Sequence, residues 1–182
     1  MIRRVIHPFI RFLMRTFDLH GESATFTARY RVAKYRSGWP SVPYEVTGWT
    51  EPNKVVNTGL SHVIKLITGE SALTLNNANA RLGSGDNSTA EAAGQTNLQA
   101  ATNKIWVAMD ATYPTAESNR KTRFQATFAA GVATWTWLED GFARGDPGSG
   151  GIMAGRKVVN HGAKGAGDSW ILFCDLEAMS AT

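Results

Sequence analysis

Residues 124–139, reading FQATFAAGVATWTWLE, constrain the fold more than any other stretch. Phe124, Ala126 and Phe128 alternate with Gln125 and Thr127, and beyond Ala-Ala-Gly, Ala133, Trp135 and Trp137 alternate with Thr134, Thr136 and Leu138. A period of two on both sides of a glycine-containing turn predicts a β-hairpin with both indoles on one face. Each Trp offers about 150–250 Å² for burial, so a second layer must cover that face. The pattern is a scaffold signal and carries no chemistry of its own.

The rest of the chain reads mostly the same way. Residues 24–36 alternate, with Phe26, Ala28, Tyr30 and Val32 opposite Thr25, Thr27, Arg29 and Arg31, which predicts a long half-exposed strand with a cationic outer face. Shorter strands are expected at 44–49, 104–109, 152–159 and 169–177. A short helix is expected near 96–100, and a glycine-rich turn over 160–167. Residues 55–68 predict the one clear helix, with Val56, Leu60, Val63, Ile64 and Ile67 as its apolar stripe, His62 on its polar side and Gly69 as its stop. About eight strands around one helix favour an antiparallel jelly-roll-like β-sandwich over a parallel α/β fold.

Charge divides the chain. Residues 1–36 hold eight Lys/Arg against Asp18 and Glu22, a net +6, whereas the other 146 residues carry −2. A basic arm on a near-neutral body suits attachment to an acidic partner better than nucleic-acid binding, which would spread positive charge over the body. Within residues 1–19, Ile2, Ile6, Phe9, Leu13 and Phe17 share one helical face while Arg4, Arg11 and Arg15 cluster on another. Pro8 suits a first turn, so the helix is expected to start near His7. Arg11 and Arg15 interrupt the apolar stretch and argue against a secretory signal or a membrane span. Two readings stand for this amphipathic segment: docking in a partner's groove, or packing on its own body. The division expected is an arm and long strand over 1–50 and a sandwich body over 51–182. Arg4, Phe9, Arg11, Leu13, Arg15, Phe17, Arg29 and Arg31 are the candidate partner-binding residues.

Chemistry-bearing motifs are sparse. Gly83-Ser84-Gly85 lacks the third glycine of a dinucleotide fingerprint and the Gly-Lys-Ser/Thr of a phosphate loop, so a turn closed by Asp86 and Asn87 is expected instead. His7, His20, His62 and His161 lack zinc-ligand spacing. Glu139 and Asp140 are adjacent and should point to opposite faces of a strand, which suits a structural ion pair of Glu139 with Arg144 or Arg156 better than paired acid–base work. Cys174, the single cysteine, lies in an apolar run and reads as a small buried hydrophobe. No catalytic residue, cofactor or metal is expected. The six Trp residues suit a core, with a sugar-stacking platform as the alternative.

From residue 55 onward the order of features resembles a family of small structural proteins of tailed bacteriophages and prophages. The resemblance rests on Asn57-Thr58-Gly59-Leu60 opening an apolar helix, a Gly-Asp-Ser/Thr-type loop at 85–89 and Thr96-Asn97-Leu98. It continues through Tyr113-Pro114, the strand from Phe124 to Phe128, Trp135 to Glu139, Gly151 to Lys157, and Trp170 to Leu172. About 125 of the 182 residues fall in this pattern; Asp140-Gly141-Phe142 departs from it, and residues 1–50 lie outside it. The resemblance implies a non-enzymatic virion component, expected to self-associate and to bind other virion proteins. Capsid decoration leads; the neck, tail or a fibre base are the other positions, and a glycan-binding module is the rival class.

Overall fold

The structure, a computed structural model, describes residues 24–37, 41–71 and 74–180. The leading segment, with the candidates Arg4, Phe9, Arg11, Leu13, Arg15 and Phe17, lies outside the described residues, as does Trp39. The described chain is mainly β: two antiparallel sheets stacked as a sandwich, with one α-helix.

The first sheet runs in the order β2 (Glu45–Val46), β1 (Ala24–Tyr35), β10 (Ser169–Ser180), β7 (Lys121–Phe128), β6 (Thr115–Ser118), with β3 (Asn53–Lys54) also pairing to β1. The second runs β5 (Lys104–Ala108), β4 (Ala80–Gly85), β8 (Thr136–Arg144), β9 (Ile152–Ala163). The core lies between them. Tyr30, Phe124, Phe128 and Trp170 of the first sheet meet Leu82, Trp137 and Phe142 of the second. Phe124 and Phe142 rings stand 4.5 Å apart, and Trp137 takes edge contacts from Phe128 at 4.6 Å and Trp170 at 5.0 Å. The two edge contacts have the geometry that the ring quadrupoles favour. Cys174 is fully buried there, as its apolar run predicts.

The predicted hairpin over 124–139 does not form. Its two arms are strands of different sheets: β7 pairs with β10 and β6, and β8 pairs with β4 and β9. Residues 129–135 instead arch from one layer to the other, through Gly131 at φ +78° and Ala133 at φ +56°. Alternation fixes which side chains face inward but not which strand supplies the hydrogen bonds. Trp137 is fully buried, its Nε1 donating to Ala133 O at 2.9 Å, while Trp135 precedes the strand and is half-buried.

Other boundaries differ locally. A further strand, β6, follows Tyr113-Pro114; β10 runs on to Ser180, and β9 runs on to Ala163, so that the turn between them shrinks to 164–168. Gly83, Ser84 and Gly85 belong to β4, and the Asx turn starts after them, with Asn87 Oδ1 accepting from Thr89 N at 2.7 Å. The short helix expected near 96–100 is irregular chain.

Helix α1 (Asn57–Ile67) shows the largest departure. Gly59 and His62 are its buried residues, whereas Leu60, Ile64 and Ile67 point outward at 43, 58 and 60 % exposure. A Cβ at Gly59 would lie 2.6 Å from Ala154 Cα, so the helix backbone rests directly on β9 at that residue. Close approach at the glycine, rather than apolar content, sets which side faces inward. His62 therefore turns in beside Phe26, Leu75 and Leu176, against the expectation of a polar-side position.

The outer edges of β1 and β9 are paired by neighbouring segments through backbone and side-chain bonds. Segment 44–54 follows β1 with Tyr44, Thr47 and Thr50 N donating to Lys34, Val32 and Tyr30 O at 2.8–2.9 Å. Thr47 and Thr50 Oγ1 accept in return from Val32 N at 2.9 Å and Tyr30 N at 3.0 Å. On β9, Val56 N and Thr58 Oγ1 bond Ala154 O and Met153 O, and Glu91 Oε1 accepts from Val158 N at 2.7 Å. Edges paired in this way offer no free ladder to another chain.

Candidate interaction surface

Strand β1 turns Ala28, Tyr30 and Val32 into the core and leaves Arg29 and Arg31 on the outer face of the first sheet, as their alternation predicts. The register with β10 and β7 places Asp175 between Arg29 and Arg123, and Phe173 beside Arg31. Arg123 grips Asp175 with two parallel bonds, Nε to Oδ1 at 2.7 Å and a terminal nitrogen to Oδ2 at 2.9 Å, and reaches Glu117 at 3.1 Å. This fork geometry is the strong form of an Arg–carboxylate contact, and the hydrogen bond to Asp175 raises the arginine's already high pKa. Trp49, carried by the edge segment, lies above the same face. Arg31 stands 4.5 Å from its ring centre and 5.0 Å from that of Phe173, and Arg123 approaches the indole at 5.2 Å. The face is therefore a set of half-buried cations held in position by aromatic rings and the carboxylates of Asp175 and Glu117.

Of the eight predicted binding residues, the structure brings Arg29 and Arg31 together; the other six lie outside the described residues. Trp49, Arg123, Phe173 and Asp175 join them on the face and were not singled out by sequence. Their parity within each strand is visible, but the register that juxtaposes three distant strands is not.

The outer face of the second sheet is closed. One cross-strand row reads Trp106, Gly83, Gly141, Arg156. The Trp106 indole lies over both glycines, where added Cβ atoms would fall 2.6 and 2.5 Å from ring carbons. Residues 86–103 wrap over this row and are fastened by Glu139, whose carboxylate accepts from Gln99 N at 2.9 Å, Ala100 N at 2.7 Å and Arg156 Nε. Arg156 is 1 % exposed and also donates to Thr89 O at 2.9 Å and Gln95 Oε1 at 3.1 Å. The Glu139–Arg156 pairing anticipated from sequence is thus present, in mid-strand and fully buried. A groove of about 350 Å³ beside it is lined by Asn53, Val55, Glu91 and Gln95, with the guanidinium of Arg156 already committed.

Asp140 faces the other way, into the core, where His161 Nε2 lies 2.7 Å from Oδ2 and Oδ1 has no hydrogen-bond partner. Burial pushes this carboxyl above its ordinary pKa, partly offset by the attraction and hydrogen bond of His161. Burial likewise raises the Tyr30 hydroxyl and the Cys174 thiol. Glu139 and Asp140 do take opposite faces, and both are inaccessible. Among the described residues no group of three or more His, Cys, Asp or Glu is arranged to hold a metal ion, and no helix is long and apolar enough to cross a membrane.

Comparison with protein-family models, with curated proteins and with solved structures returns no match.

Proposed function

We propose that this chain is a structural component of a tailed-bacteriophage particle, a jelly-roll-like sandwich that decorates or cements the capsid by binding other virion proteins through its basic leading segment. The observation that carries the reading is the charge division: +6 over residues 1–36 against −2 over the rest, with Arg29 and Arg31 set on an outward sheet face. The resemblance of residues 55–172 to small phage structural proteins supplies the particle. A station at the neck, tail or fibre base would use the same device, and several copies on one particle fit the expected self-association.

Cations arrayed on a rigid face steer an acidic partner and fix its orientation more than they add affinity. Attachment should therefore weaken as salt rises and the Debye length falls below about 8 Å. The glycan-binding alternative needs an open indole. Trp137 and Trp170 are buried, and Trp49 lies against Arg31 and Arg123.

Deleting residues 1–20 tests the reading in particle assembly. The truncated chain should keep its near-ultraviolet dichroism and cooperative unfolding yet fail to join particles. Normal incorporation of a folded truncation would refute the role of the segment, and a fluorescence shift on adding sugars would move the case to the glycan module.

A further inference from the structure

Helix α1 presents a contiguous apolar stripe to the outside. Leu60, Ile64 and Ile67 follow the i, i+4, i+7 spacing of one helix face. Among the described residues nothing covers them, because Gly59 commits the opposite side of the helix to β9.

The same chain carries a matching surface. Phe9, Leu13 and Phe17 repeat every four residues in the leading segment, with Arg11 and Arg15 on its other side. The path of β1 brings the start of the described chain to α1. Phe26 borders the same small cavity as Gly59, His62 and Val63 of α1, and the described chain begins two residues earlier, at Ala24. The four residues from His20 to Ser23 span at most about 14 Å. A helix over 7–19 would be about 20 Å long, against about 16 Å for α1.

We propose that the apolar face of residues 7–19 seats on Leu60, Ile64 and Ile67 of the same chain, turning Arg11 and Arg15 outward. Tethering decides between this occupant and the segment of a second copy. A link of four residues holds its segment at an effective concentration in the millimolar range, far above micromolar free protein. Two apolar stripes are then buried at once, and the cations are displayed from a fixed platform. The inference shares with the function above only the amphipathic segment, and it stands whatever the cations grip.

Cross-linking in the full-length chain tests it. Leu13→Cys with Ile64→Cys should give a disulfide within one chain at micromolar dilution, identified by peptide mapping, while the control Leu13→Cys with Val46→Cys should not link. Cys174 is fully buried and does not compete. Without any introduced cysteine, trypsin should cut after Arg11 and Arg15 at least tenfold faster in the Ile64→Glu, Ile67→Glu variant than in the wild type. A link found only between differently tagged copies, no link at all, equal linking by the control, or equal cleavage rates would overturn the inference. An absent link together with loss of particle attachment on deleting residues 1–20 would sink this inference and spare the proposed function. A link within the chain together with normal attachment of the deletion would do the reverse.

Discussion

Replacing Glu139 tests how the outer loop is fastened. In the wild type this carboxylate takes Arg156 Nε and the backbone N–H groups of Gln99 and Ala100, all within a site where both side chains are inaccessible. Glu139→Ala leaves a buried guanidinium without its counter-charge, a change that costs about 3–5 kcal/mol when one partner of a buried pair is removed. Two amides also lose a charged acceptor, at about 1–3 kcal/mol each if they stay dry. These terms do not simply add, because residues 86–103 can lift and let water reach the orphaned groups. The loss is therefore capped by the free energy that holds the loop down. A loss of about 3–5 kcal/mol is expected, a large share of the roughly 5–15 kcal/mol that stabilises a domain. The double variant Glu139→Leu, Arg156→Met should cost less than the worse single one, since no unpaired charge remains. Urea unfolding followed by tryptophan emission gives the three values and their coupling. A Glu139→Ala loss below about 1 kcal/mol, or a double variant costing the sum of its singles, would refute the fastening role.

Gly83→Ala and Gly141→Ala each drive a methyl into the Trp106 ring, so each should lower stability by about 1–3 kcal/mol and red-shift the emission as the indole lifts; unchanged emission would mean the row is looser than described. Thr47→Val and Thr50→Val remove the hydroxyls that accept from Val32 N and Tyr30 N. Each should cost about 1–3 kcal/mol and speed exchange of that one amide, and uniform protection would count against the edge role. Asp140, facing His161, Tyr30 and Cys174 with Glu139 adjacent, has its pKa raised by burial. Its contribution to stability is thus fully present below the unfolded-state value of about 4 and declines as pH rises through the folded value. Asp140→Asn should consequently gain on the wild type as pH climbs from about 4, read from urea midpoints across that range; a flat or opposite difference would contradict the desolvation account.

Sequence patterning made the layers legible and left the pairing obscure. The inward residues of β1 and β7 follow from alternation, as does the outward placing of Arg29 and Arg31, while the burial of Cys174 follows from its apolar run. Trp137 shows what periodicity omits: its face was predicted, while the sheet to which it belongs depends on an arch whose ends meet partners far away in the chain. In α1 the stripe was legible and its orientation was not, since a single absent Cβ at Gly59 outweighed three aliphatic side chains. For Glu139 the sequence offers two partners, Arg144 and Arg156, and only the folded arrangement of β8 and β9 selects Arg156. Their role under residues 86–103 rests on two backbone amides that no residue type announces.

The first sheet has its last-made strand near its middle. β10 pairs with β1 from Ser180 opposite Ala24 to Ser169 opposite Tyr35, and with β7 on its other side. During synthesis, then, β1 and β7 must wait without their shared neighbour until the ribosome has released almost the entire described chain. Contacts that distant in sequence also slow refolding. Nascent chains stalled before β10 should consequently be the species most in need of a chaperone.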